Sequence, residues 1–200
     1  MSIVAEFARK LQQQEPYEAR TDLFPMQYPS HEEKLYDIRA VIFDVYGTLM
    51  NYRKEEFAQQ ESKERALGEA FRRVVDYFHM ADYLEKMNPG VAPERTLADF
   101  YHGLIALDHE KSRRENIETP EVRIERIWGL ILKMMKRHGY MTDILGLGGE
   151  ADVARCMAYA YNFWAFARGF FPGVVDALEA LKKHGIQAGI LSNAQFYTPI

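Results

Sequence analysis

The ten residues AVIFDVYGTL, Ala40 to Leu49, constrain what this chain can fold into more than any other stretch. Four apolar residues, Ala40 to Phe43, lead into Asp44, and a turn follows through Tyr46, Gly47 and Thr48. A short unbroken apolar run that stops at a turn signal is the pattern of a fully buried strand inside a parallel sheet. Asp44 then lies at the strand's carboxyl end, the edge at which ligands bind in open α/β sheets. The competing reading is an Asp that only caps a strand-end turn.

A second stretch of the same kind lies further on. Val174 to His184 is helical, with Val174, Ala177, Leu178 and Leu181 on one face. Lys182, Lys183 and His184 suit its last turn, and Gly185 ends it. Gln187 to Leu191 is another short apolar strand, with Ser192-Asn193 at its carboxyl end. A helix followed by a strand fits the right-handed crossover of a parallel sheet.

Residues 51–170 read as about four helices and no strands. The first runs from Glu55 to about Lys86, with Phe57, Leu67, Phe71, Val74, Val75 and Phe78 on one side. Pro93 opens the next, with Leu97, Phe100, Tyr101, Leu104 and Ile105 as its stripe. A third spans Pro120 to His138, with Thr119 as cap, Gly139 as stop, and Ile124, Ile127, Trp128, Ile131 and Met135 in phase. Ala151 to Phe166 is the fourth. The glycines of GLGGE (146–150) lack phosphate-loop spacing and read as a connector. A crossover needs only a dozen or more residues, so this much helix is an inserted bundle.

Apolar strand, Asp44, two residues, then Gly47-Thr48-Leu49 resembles the first motif of the haloacid dehalogenase-like (HAD) superfamily. Pro172-Gly173, helix, Gly185, strand and Ser192-Asn193 resembles the region of its second motif. The resemblance is close over residues 38–50 and 170–194, and is one of architecture over the helices. It implies an α/β fold with a Rossmann-like parallel sheet core in 38–50 and 171–200. It also implies a helical cap domain in 51–170 and leaves 1–37 as an N-terminal extension. By the same resemblance Asp44 is the aspartate nucleophile of a hydrolase that acts on a small-molecule anionic substrate, and Ser192 supplies the second-motif hydroxyl.

The chemistry is coherent with those residue types. A carboxylate held in line with an electrophilic centre and partly desolvated becomes a useful nucleophile, and an ester on Asp44 splits one hard displacement into two easier steps. Ser192, Asn193 and the backbone N–H groups of Gly47 and Thr48 can hold a substrate anion. The Thr48 hydroxyl is expected to fix the loop. Tyr46 departs from the superfamily's phosphatases, which carry an acid two residues after the nucleophile. A phenol that titrates near 10 is a poor proton shuttle at neutral pH. Halide needs no proton to leave, and the superfamily's 2-haloacid dehalogenases, which use no metal, have Tyr at this place. In metal-using members Mg2+ sits on the nucleophile carboxylate and the backbone carbonyl two residues on, here Asp44 and Tyr46; magnesium needs few protein ligands. Dehalogenases carry an anion-binding Arg early in the cap, where Arg65, Arg72 and Arg73 are the candidates by position.

Composition removes other classes. A formal net charge of -4 gives no reason to expect nucleic acid as partner. No apolar run approaches the ~18 residues of a membrane span, and Met1 to Gln14 lacks the apolar core of a signal peptide. The single cysteine, Cys156, forms no intrachain disulfide, which suits a reducing, cytoplasmic setting and a buried place on a helix. Ser2 to Gln13 reads as a short amphipathic helix with Ile3, Phe7 and Leu11. Glu15 to Tyr36, broken by Pro16, Pro25 and Pro29, reads as an irregular arm over the core or over a partner chain, which admits a homodimer. The superfamily's Lys and acidic motifs normally lie further on than Ile200, so the expectation is a segment of a longer chain. The reading from another class is a non-catalytic relative that keeps the fold for binding or dimerisation.

Overall fold

The structure, a computed structural model, describes residues 2–15, 33, 35–52, 60–118, 120–166 and 168–198. It divides into a helical unit and an α/β unit. The expected contributions of Phe57, Thr119 and most of the arm from Glu15 to Tyr36 lie outside the described residues.

The helical unit contains α1 (Ile3–Gln14), α2 (Gln60–Tyr77), α3 (Ala81–Met87), α4 (Pro93–Arg114), α5 (Ile124–Lys136) and α6 (Glu150–Ala165). α6 is its axis. Val153, Ala154, Cys156, Met157, Ala158, Tyr159, Ala160 and Tyr161 are all buried, and a helix apolar on every side is one surrounded by others. It packs against α1, α2 and α5. Its alanines let those helices approach, and burial pushes the Cys156 thiol up to about 12, so it behaves as a small apolar side chain. On α5 every residue of the expected stripe is buried.

Three expectations change here. The single helix from Glu55 to Lys86 is two. The chain breaks after Phe78, where His79 takes φ 54, and the freed Phe78 carbonyl accepts the buried Tyr140 hydroxyl at 2.6 Å. That bond satisfies one of the carbonyls every helix end leaves unpaired. α5 begins at Ile124 rather than Pro120, with Arg123 in extended backbone before it. Residues 51–170 are also not free of strands: β2 (Met50–Tyr52) and β3 (Arg168–Phe170) pair antiparallel, Met50 with Phe170 and Tyr52 with Arg168, in the α/β unit. Three-residue strands are too short to show a period of two.

The N-terminal helix is part of the bundle rather than an extension. The Ser2 hydroxyl caps it by accepting the Ala5 N–H at 3.2 Å, and Val4, Phe7, Ala8 and Leu11 are buried. Phe7 meets Phe78 and Tyr159 at ring distances of 6.0 and 6.3 Å. Gly148 marks how closely α1 is approached: at φ 80, a Cβ there would fall 2.6 Å from the Ile3 Cδ1. Beyond α1, the Glu15 carboxylate accepts from Trp164 Nε1 at 3.0 Å and pairs with Arg73, whose guanidinium lies 4.9 Å from the Trp164 ring centroid. The ion pair is over a third exposed on both sides, so its contribution is at most about 1 kcal/mol. Burial of Leu11 dominates. We expect Leu11→Ala to cost about 2–5 kcal/mol in urea unfolding and Glu15→Gln about 1 kcal/mol or less. Equal costs would show that the polar end, not the apolar face, holds α1.

The α/β unit contains β1 (Ala40–Phe43), β2, β3, α7 (Val174–Lys183) and β4 (Gln187–Ile190). β1 and β4 are parallel neighbours, in register from Ala40 with Gln187 to Phe43 with Ile190. The mixed α/β architecture with a parallel pair agrees with the Rossmann-like expectation. The expected double-sided burial does not: Ile42 is 69 % and Ile190 68 % exposed. Among the described residues β1 hydrogen-bonds along one edge only, and α7 packs beside β4 without fully burying any of its own residues. No helix among the described residues is long and apolar enough to cross a membrane.

Candidate active site

The parallel ladder continues one step beyond the strands. The Leu191 N–H donates to the Phe43 carbonyl at 2.9 Å, which sets Asp44 and Ser192 at the carboxyl ends of two hydrogen-bonded neighbours. Asp44 is exposed at the tip of β1. Ser192 is half-buried and, with Val45, Leu49, Phe170, Gln195 and Thr198, lines a cleft of about 460 Å³. Asp44 itself is not in that lining. Asn193 is exposed beside Ser192.

The loop after Asp44 is closed by its own backbone. Gly47, at φ 89, donates its N–H to the Met50 carbonyl at 2.7 Å, and the Thr48, Leu49 and Met50 N–H groups converge on the Val45 carbonyl at 3.4, 2.9 and 2.9 Å. A side chain at residue 47 would be strained at that φ, which is why glycine stands there. The same bonds change an expectation: the Gly47 and Thr48 N–H groups are spent on the turn rather than left for a substrate anion. The Thr48 side chain is exposed, and the turn closes through its N–H, so its hydroxyl is not what fixes the loop.

Tyr46 is held from two sides. Its hydroxyl shares a 3.2 Å hydrogen bond with the Thr198 hydroxyl, and the Arg168 guanidinium lies 5.9 Å from its ring centroid. Val45 and Leu49, either side of Tyr46, are buried. The arginines expected to bind anion fare differently. Arg72 is paired with Glu69 and Asp76, and Arg73 with Glu15, so both charges are already matched within the helical unit. Arg65 lies on α2 outside the described side chains. The residue that sequence reasoning missed is Arg168. One signal pointed to it: it is the single charged residue between Arg155 and Asp176, in an otherwise apolar stretch.

Over residues 38–198, more than half of the chain, the sequence matches the haloacid dehalogenase-like hydrolase family. The chain belongs to that family. No curated protein and no solved structure matches it. In this HAD-like hydrolase the matched region opens at the β1 motif and closes just after the Ser192 segment, so both strand ends fall inside it. Among the described residues no three His, Cys, Asp or Glu side chains gather as a metal site. A magnesium ion would have Asp44 as its carboxylate and the Tyr46 main chain as its second donor. That is a sparse set, but one that suits an ion that keeps most of its waters.

Proposed function

We propose that this HAD-like hydrolase acts on a small anionic molecule through an ester on Asp44, with carbon–halogen hydrolysis of a 2-haloacid as the leading reaction. The observation that carries the reading is the register of β1 and β4, which brings a carboxylate and a serine to the same edge of one parallel pair. In the first step an Asp44 oxygen attacks the carbon bearing the halogen; the C–O bond forms as the C–halogen bond breaks, and halide leaves with the electron pair. In the second, water attacks the acyl carbon of the ester, the hydroxy acid departs and the Asp44 carboxylate is restored, with the water's proton released to solvent. Ser192 and Asn193 hold the substrate at the strand end, in a role that asks only for hydrogen-bond donors. Tyr46 favours halide over phosphate: its hydroxyl is engaged with Thr198, and no acid stands two residues after Asp44 to protonate an alkoxide.

Phosphate-ester hydrolysis is the second reading, favoured by the pairing of a free strand-end carboxylate with the Tyr46 main chain as magnesium donors. A bound magnesium ion would neutralise phosphate charge there. Turnover of 2-chloropropionate against a panel of phosphate esters, with and without magnesium, separates the two. Halide release without magnesium is the expected result. Activity confined to phosphate esters with magnesium would reverse the order, and no turnover of either class would favour a non-catalytic binding or dimerisation role.

A further inference from the structure

We propose that Arg168 recognises the carboxylate of the substrate; the inference rests on the small-anion reading above and names the group that selects for it. β3 carries Arg168 opposite Tyr52 of β2, in the antiparallel pair that follows directly from the Asp44 loop. Its guanidinium lies 5.9 Å from the Tyr46 ring centroid, and Tyr46 is only two residues beyond Asp44. The ring is itself tethered, because its hydroxyl is bonded to Thr198 in the segment after Ser192. Arg168 is thereby drawn to the loop that follows the nucleophile, within the α/β unit.

Two further facts distinguish Arg168 from Arg72, Arg73 and Arg126. Its Nε is buried and has no hydrogen-bond partner, and no carboxylate among the described residues pairs with it. Arg72, Arg73 and Arg126 all have such partners. A buried guanidinium N–H left without an acceptor is costly, and an acceptor brought by a ligand would remove that cost. A carboxylate is the matching group, since its two oxygens accept from Nε and one Nη in a planar fork. The Tyr46 ring attracts the guanidinium and helps to hold it in place. Lysine cannot reproduce the arrangement, because its ammonium is a point charge without a fork.

The test uses binding as well as turnover. The full chain is titrated calorimetrically with lactate and, separately, with inorganic phosphate, alongside Arg168→Met and Arg168→Lys. Met keeps a long apolar stem against Tyr46, and thermal melting of each variant checks that it folds. Lactate affinity is expected to fall roughly 10- to 100-fold in Arg168→Met and to recover only in part in Arg168→Lys. With 2-chloropropionate as substrate, KM is expected to rise by a similar factor while kcat changes less. Wild-type protein that binds no lactate, or an Arg168→Lys variant that binds lactate as the wild type does, overturns the assignment. So does a dependence on Arg168 for phosphate but not for lactate. Haloacid turnover with unchanged KM in Arg168→Met sinks this inference and leaves the proposed reaction standing. Lactate binding that needs Arg168, without haloacid turnover, does the reverse.

Discussion

Replacing Asp44 with Asn is expected to lower turnover of the preferred substrate by at least about 10⁴-fold, a rise of about 5 kcal/mol in the barrier. The amide has the same shape but is not a nucleophile, so the ester cannot form. Asp44 is exposed at the end of a strand whose ladder runs on through Leu191, so the substitution removes no core contact and should leave the fold intact. Circular dichroism and melting should match the wild type while activity is lost. A single turnover in ¹⁸O-water adds a sharper observation. The label should enter the Asp44 carboxylate, and the first product molecule should carry an unlabelled oxygen taken from the enzyme. Full activity in Asp44→Asn, or label in the first product, would mean that water attacks the substrate directly and that the carboxylate has another role.

The second large effect is on stability and lies in the helical unit. Trp128 of α5 is fully buried, with its ring 5.5 Å from Tyr101 and 5.9 Å from Tyr161. Phe71 closes the group, stacked on Tyr161 at 4.5 Å and edge-on to Tyr101 at 5.4 Å. Trp128→Ala should cost about 3–5 kcal/mol, because it removes the largest buried side chain where α4, α5 and α6 meet. Trp128→Phe should cost far less than its lost volume suggests. The Trp128 Nε1 is buried without a hydrogen-bond partner, and an orphaned N–H of that kind costs about 1–3 kcal/mol. Phenylalanine removes it, and that gain offsets part of the cavity. Urea unfolding of both variants measures the difference. Similar losses for Phe and Ala would indicate that the indole N–H is satisfied after all.

Residues that announce themselves locally were legible without coordinates. Asp44 and Ser192 each end an apolar run, and the helix between them implied a parallel crossover; the register of β1 and β4 agrees with that inference. The α5 stripe was legible for the same reason, since a 3.6-residue period records burial directly. The break at His79 was not, because the apolar phase continues across it and the compensating partner, Tyr140, is remote in sequence. Nor was the helical unit's ownership of α1. Periodicity says that Phe7 and Leu11 face something apolar, but not which surface that is.

The sequence by itself therefore determined the run of helices between two strand motifs and the strand-end carboxylate and serine, but not β2, β3 or the break at His79. Those follow from short-range sterics and burial, which a few neighbouring residues encode. Only the tertiary structure decided which charges are already matched. Arg73 is taken up by Glu15, 58 residues away in the chain, whereas Arg168 lies near the Tyr46 ring with its Nε unpaired. It also decided that the Gly47 and Thr48 N–H groups close a turn instead of facing a ligand. A charge or an N–H can be spent only once, and whether a turn neighbour or a residue remote in the chain takes it is decided by the fold.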